Sequence, residues 1–426
     1  MRRLLATLLA VAAPLAGAAP ALAFSEADLR ATLAGEMRHA GSGSGAYVAD
    51  LASGSELFSV RPDTGRIPAS VEKLYTTSTA LLRLGPAATL RTLAVTTPDA
   101  VVDATGTLQG DLVLVGGGDP FFGDDSATLL ARAVRAAGIR AIAGAVVGDE
   151  SAFDTRRSGC CPGYDPDLGG VLSALAYDRG IFRGRARLDA ARFAAARFAA
   201  KLRAAGVTVA GHSIAGLAPP SPRTIAFVPS RDVAELARFT NVPSNNFAAE
   251  MLLKELGARY GDSGTEAAGA GVVLDTLEDF GLRPRVVDGS GLSRANRSSP
   301  RQIVMLLRRM AKPDIAASFR ASLAVAGATG TVKRRMRGTP AAGNCQVKTG
   351  TLRLVSALAG YCHTAGGRDV VFALQSNRAN TFRAKAREDR MAAAIARLDG
   401  LPAPLPAPAP LHEDPPPAAG GAAPGP

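Results

Sequence analysis

The run Ser70-Val71-Glu72-Lys73 puts a hydroxyl and an amine three residues apart at the start of a segment with helical periodicity. On a helix this spacing sets both side chains on one face, so the Lys73 amine can reach the Ser70 hydroxyl. A lysine that has lost its proton is a competent base for a serine nucleophile; arginine holds its proton at every working pH. The helix N-terminus adds free N–H groups and a positive dipole end where an oxyanion would develop. Two more groups carry related chemistry. Ser244-Asn245-Asn246 offers a hydroxyl and amides on a loop ahead of a helix expected from Phe247, and Lys348-Thr349-Gly350-Thr351 lies in a predicted strand. On that strand Lys348 and Gly350 share one face and Thr349 and Thr351 the other. Glycine at 350 removes a side chain so that a substrate backbone can lie against the strand. Each motif alone has an ordinary explanation: a serine cap with a solvated lysine, a helix cap, an exposed edge. All three in this order imply a serine hydrolase that uses lysine.

The remaining composition removes competing chemistries. There are four histidines, His39, His212, His363 and His412, with no H-E-x-x-H and no pair at ligand spacing, so neither a metal nor another cofactor is expected. No G-x-S-x-G elbow supports a Ser-His-Asp triad, and no G-x-x-x-x-G-K-[ST] loop supports phosphate binding. The chain has 426 residues, 47% of them apolar, which exceeds the needs of one domain and excludes wholesale disorder. Its net charge of +12 rests on arginine, since only seven of the cations are lysine. These arginines are scattered among alanines and aromatics are few, so nucleic acid is not expected as a partner.

The elements that must position the motifs follow from periodicity. Helices are predicted over Ser25–His39, Ser70 to about Leu84, Ser126–Ala137, Ala190–Ala205, Asp232–Phe239, Phe247–Arg259, Gly264–Gly281, Pro300–Met310 and Phe382–Leu398. Strands are predicted over Ala46–Asp50, Glu56–Val60, Thr92–Thr96, Thr107–Val115, Ala141–Val147, the hairpin Gln346–Leu352 with Val355–Tyr361, and Val370–Ser376. Helices at both chain ends with antiparallel strands beside them give an α+β domain, split by a strand-rich insert after the Ser70 helix. Cys345 and Cys362 flank the late hairpin and could form a disulfide across its open end; Cys160-Cys161 could be a vicinal bridge or two thiols.

Residues 1–23 combine Arg2 and Arg3, an apolar stretch and Ala21-Leu22-Ala23, the pattern of a secretory signal, so a periplasmic location is expected and no transmembrane segment in the mature protein. Residues 401–426 are rich in Pro, Ala and Gly and are expected to be a disordered tail.

The three motifs resemble those of the penicillin-binding protein and serine β-lactamase superfamily: S-x-x-K as Ser70/Lys73, S-x-N as Ser244/Asn246, K-T-G as Lys348/Thr349/Gly350. Gly110-Asp111-Leu112, Gly116-Gly117-Gly118-Asp119-Pro120, Asp288-Gly289-Ser290-Gly291-Leu292-Ser293-Arg294 and Lys348-Thr349-Gly350-Thr351-Leu352 narrow the resemblance to the class C low-molecular-mass D-alanyl-D-alanine carboxypeptidase/endopeptidase family, with matches from about Ala46 to Ser376. The interval from Ser70 to Ser244 is too long for a single-domain β-lactamase. The resemblance implies a β-lactamase/transpeptidase-like catalytic domain, an antiparallel sheet flanked by helices, at 24–88 and 222–400, with the inserted smaller domain at 89–221. Family members often carry two inserted domains, and this interval is short enough that the second is reduced or missing.

The resemblance further implies acyl transfer on peptidoglycan stem peptides. Ser70 would attack the carbonyl between two D-alanines, with Lys73 as base. Ser244 and Lys348 would relay a proton to the leaving amine, and Asn246 would hold the substrate amide. Thr349 and Thr351 would bind the terminal carboxylate in the field of Lys348, and the N–H groups of Ser70 and Thr351 would form the oxyanion hole. Arg294 would meet the free carboxylate of a diaminopimelate side chain, and Asp149 or Asp154 its amine. β-Lactam antibiotics would acylate Ser70 as covalent inhibitors. Competing readings are a serine β-lactamase, separable by its rapid turnover of penicillin, and a non-catalytic wall-binding scaffold. Oligomeric state is not legible.

Overall fold

The computed structural model describes residues 23–159 and 163–399. Residues 1–22 of the expected signal, the Cys160-Cys161 pair and the expected tail lie outside the described residues.

The central element is a six-stranded antiparallel sheet in the order Ala324–Val325, Cys345–Leu352, Val355–His363, Asp369–Asn377, Ser44–Asp50, Glu56–Val60. Its inner strands read as nearly continuous apolar runs because both faces are covered. Alternation assigns each residue a face: Ala357, Ala359, Tyr361, Val371 and Ala373 enter one core, while Leu358, Phe372 and Leu374 enter the other. The second core is closed by Leu29, Leu33 and Met37 of helix Glu26–Arg38 and by Met391 and Ile395 of Thr381–Arg397. The first is closed by helices Lys73–Leu84, Val233–Asn241, Asn246–Tyr260, Glu266–Glu278 and Pro300–Met310. Truncating a side chain buried this way, such as Phe372→Ala, costs about 3–5 kcal/mol. Local chemistry starts the helices: Ser25 with Asp28, and Ser299 with Gln302, form capping boxes, the latter followed by Pro300.

A second, mixed sheet of five strands runs Ser213–Ala215, Val146–Asp149, Leu112–Val115, Thr89–Thr96, Arg223–Asp232, beside a small parallel sheet of Thr208–Val209, Ala141–Ile142 and Thr107–Leu108. Helices Asp124–Ala136 and Ala190–Ala204 cover a shared core through Leu130, Val134, Phe198 and Leu202. The single strands expected at Thr107–Val115 and Ala141–Val147 are each broken in two. Gly110, at φ +127°, and Gly144 are the break points, and the Gly144 N–H donates to the Gly110 carbonyl. A side chain on Gly144 would overlap Gly110, so the chains can switch sheets here because two glycines meet. Strand Arg223–Asp232 pairs with Thr89–Thr96, so residues expected on the catalytic side of position 221 belong to this second sheet. The fold is α+β, with a strand-rich unit between the Ser70 helix and the rest of the six-stranded core.

Candidate active site

Ser70 sits on a 3-10 turn, Ala69–Glu72, which runs directly into helix Lys73–Leu84. Ala69 is held at φ +49° and Ser244, on the facing loop, at φ +63°. Left-handed backbone at non-glycine residues costs on the order of 1–3 kcal/mol each and persists only where surrounding packing fixes it. That packing is visible on both sides of the turn. A side chain on Gly350 would overlap the Pro68 carbonyl and one on Gly291 would overlap the Ala69 carbonyl. The role expected for Gly350 is therefore corrected: its missing side chain admits the backbone of the nucleophile turn, not the backbone of a substrate.

The three motifs converge. Lys73 Nζ lies 3.1 Å from Ser70 Oγ, 2.6 Å from Asn246 Oδ1 and 2.5 Å from the Ser290 carbonyl. Lys348 Nζ donates to Ser244 Oγ at 2.9 Å and to its neighbour's Thr349 carbonyl at 2.9 Å. Thr349 Oγ1 bonds Thr331 Oγ1 at 2.8 Å. Ser70, Ser244, Asn246, Thr349 and Thr351 line one cleft of about 410 Å³, whose far wall is Thr331, Arg335 and Lys385. The amide of Asn246 is engaged at both ends, since Nδ2 donates to the Asp167 carbonyl at 2.7 Å. Asn246 thereby orients Lys73, a role beyond the substrate amide expected of it.

Both lysines are fully buried. Burial pushes the Lys73 amine down to about 8, against the pull of Glu250, Asp288 and Glu72. Lys348 is driven well below its usual value by burial and by the charge of Lys73. Glu72, fully buried with no hydrogen bond to either carboxyl oxygen, is raised well above the usual carboxylate range by burial and then by Asp288 and Glu250. A base that must be neutral thus sits in a buried position that disfavours its charged form.

A second cavity of about 880 Å³ has a lining that includes Asp154, Asp167, Glu250, Glu266, Ser290 and Arg294. Arg294 is exposed, with its guanidinium donating to the Arg353 carbonyl at 2.6 and 3.3 Å. Asp154 pairs with the buried Lys254. Asp149 is a correction. It is buried in the second sheet, accepting from the Ser151 N–H at 2.8 Å and the Ala218 N–H at 2.6 Å, and it lines neither cavity. Its position in the insert could not reveal that its carboxylate is spent on a turn. Conversely, Glu250, Thr331, Arg335 and Lys385 stand at the site without having been singled out. Nothing in their local sequence distinguishes them, except that Glu250 follows Asn246 by four positions. The expected Cys345–Cys362 pairing is closed as a disulfide between residues directly opposite in register.

Among the described residues, no group of three His, Cys, Asp or Glu side chains is arranged to hold a metal, and no helix is long and apolar enough to cross a membrane.

A serine and a buried lysine on one turn, set against the edge of an antiparallel sheet that presents a second lysine, is the architecture of the penicillin-binding protein and serine β-lactamase superfamily. The fold agrees. The crystal structure of penicillin binding protein 4 from Haemophilus influenzae superposes with a TM-score of 0.73, at 21% identity, over 84% of this chain and 97% of that one. Within the superfamily, the chain belongs to the D-Ala-D-Ala carboxypeptidase 3 (S13) family, whose model matches residues 26–168 and 167–398. It is similar to a D-alanyl-D-alanine carboxypeptidase of Actinomadura sp. (strain R39), at 29% identity over 85% of this chain and 83% of the relative. It is also similar to a carboxypeptidase, DacB, of Mycolicibacterium smegmatis, at 30% identity over 78% and 76%.

Proposed function

We propose that the chain hydrolyses D-alanyl-D-alanine and D-alanyl cross-link bonds of peptidoglycan stem peptides through a Ser70 acyl-enzyme, and that penicillins acylate the same oxygen. The observation that carries the reading is the Lys73 amine, buried, depressed to about 8 and 3.1 Å from Ser70 Oγ. Lys73 takes the Ser70 proton as Oγ bonds to the carbonyl carbon. The proton passes through Ser244 and Lys348 to the amine as the C–N bond breaks, and water then cleaves the ester. The lysine–serine contact at 2.9 Å supports that relay. The N–H groups of Ser70 and Thr351 are assigned to the oxyanion. Thr349 and Thr351 are assigned to the terminal carboxylate, whose negative charge would restore the proton that burial disfavours on Lys348.

Arg294 is assigned to a carboxylate on the substrate side chain; the shared cavity with Asp154 supports this. The sequence of residues 1–23 and the Cys345–Cys362 bond support a periplasmic protein, and the two sheets support a catalytic domain interrupted by an insert between about 89 and 232.

Digestion of purified sacculi, followed by muropeptide separation, tests the function. Loss of cross-linked dimers registers endopeptidase action and trimming of pentapeptide to tetrapeptide registers carboxypeptidase action. A Ser70→Ala protein that still released D-alanine would refute the nucleophile. Rapid turnover of fluorescent penicillin, in place of lasting one-to-one labelling, would make the protein a β-lactamase.

A further inference from the structure

The Lys73 amine has three oxygen partners, and they are not equivalent. Asn246 Oδ1 and the Ser290 carbonyl lie at 2.6 and 2.5 Å, Ser70 Oγ at 3.1 Å. A neutral amine has two N–H donors and one lone pair. With both donors taken by the two closer acceptors, the lone pair is left facing Ser70 Oγ, the direction a base requires. The geometry of the base therefore depends on what fixes those two acceptors.

Asn246 is fixed by its own helix, Asn246–Tyr260, and by the Asp167 carbonyl. The Ser290 carbonyl belongs to a loop without regular structure, and its peptide is held from the same helix. Glu250, four residues after Asn246 and on the same face, is fully buried. Its two carboxylate oxygens accept from two successive amides, Gly289 N–H at 3.0 Å and Ser290 N–H at 2.8 Å. Asp288 pins the far side of the loop through the Gly291 N–H at 2.9 Å, the Ser293 N–H at 2.6 Å and Asn296 Nδ2 at 2.6 Å. Gly291 in turn lies against the Ala69 carbonyl of the nucleophile turn.

We propose that Glu250 is a positioning residue for the catalytic base: by clamping the Gly289 and Ser290 amides it aims the Ser290 carbonyl at Lys73 and so turns the amine lone pair toward Ser70. One helix then holds Lys73 twice, directly through Asn246 and through the loop by Glu250. Glu250 does not touch Ser70 or line its cleft, although it lines the second cavity beside Ser290, so a positioning role is read from the acylation rate constant and a binding role from the dissociation constant.

The proposal rests on Lys73 being the base, and the experiment separates the two. Acylation by fluorescent penicillin is followed by stopped flow in the full chain, resolving the acylation rate constant from the dissociation constant of the initial complex. Lys73→Met tests the underlying reading: acylation within tenfold of the unaltered protein would remove the base and leave Glu250 nothing to position. Given a Lys73→Met loss, Glu250→Gln is expected to lower the acylation rate constant tenfold or more with the dissociation constant changed less than threefold. The glutamine keeps one acceptor but opposes an N–H to the second amide. Glu250→Asp, which keeps the carboxyl group but is too short to span both amides, is expected to lose at least as much. Rates within twofold in both variants would overturn the proposal. So would a loss matched by an equal rise in the dissociation constant, or failure of both variants to fold, which would make Glu250 a structural residue.

Discussion

The protonation of Lys73 makes the most exacting test of the site. Burial depresses this amine from 10.5 to about 8, a differential of roughly 3 kcal/mol against the ammonium at about 1.4 kcal/mol per pKa unit. If the neutral amine is the base, the acylation rate follows its neutral fraction: about 1% at pH 6, about 9% at pH 7 and half at pH 8. Penicillin acylation should then rise about fiftyfold from pH 6 to pH 8, on the same titration arithmetic, and level off by about pH 9. Rapid mixing with fluorescent penicillin at constant ionic strength reads this directly. Lys73→Met should lower the rate by about 10²–10⁴ and flatten the profile, the usual contribution of general base catalysis. The same shift has a stability consequence of fixed sign. Between the folded value near 8 and the unfolded value of 10.5, the unfolded chain binds a proton that the folded chain does not, so stability rises with pH across that window; Lys348, lowered in the same direction, adds to it. A rate independent of pH between 6 and 9, or a Met variant acylating within tenfold of the unaltered protein, would refute the assignment of Lys73.

Gly350→Ala should destabilise by about 1–3 kcal/mol in urea unfolding, the usual cost of overpacking. It should also slow acylation about a hundredfold, because relief of the overlap with the Pro68 carbonyl moves the Lys348 strand away from Ser70 by about 1 Å, enough to lose the productive orientation. Removing the Cys345–Cys362 bond, which closes a sequence separation of 17 residues, should cost about 3 kcal/mol in the same measurement. Arg294→Ala should raise KM for a stem peptide whose third residue carries a side-chain carboxylate at least fivefold more than for its lysine counterpart, with kcat little changed; equal effects on both peptides would remove Arg294 from recognition. Asp149→Asn should leave kcat and KM within twofold, since its carboxylate serves the Ser151 and Ala218 amides.

Much of this was legible because it is encoded locally. The bounds of the late strands and of helices such as Pro300–Met310 and the last one depend on neighbours within a few residues, and they appear in the structure within one or two positions of where they are expected. The long strands expected at Thr107–Val115 and Ala141–Val147 failed for a non-local reason, the meeting of Gly110 with Gly144 from another strand. Asp149 failed similarly: a carboxylate in a promising position shows its employment only when the partners that claim it, here backbone amides including that of Ala218, are in place.

By itself, the sequence determined the chemical vocabulary: a serine, two lysines, an asparagine and a threonine pair, in an order that suits lysine-assisted acyl transfer. Tertiary structure decided what those groups are. Lys73 and Lys348 are ordinary amines in the chain, and become perturbed ones because packing from distant segments removes water around them. Gly350 reads as an opening for substrate and proves to be the space into which the nucleophile turn fits. Glu250 carries no motif at all, since its meaning lies in two amides forty residues away that only the folded chain brings within hydrogen-bonding distance.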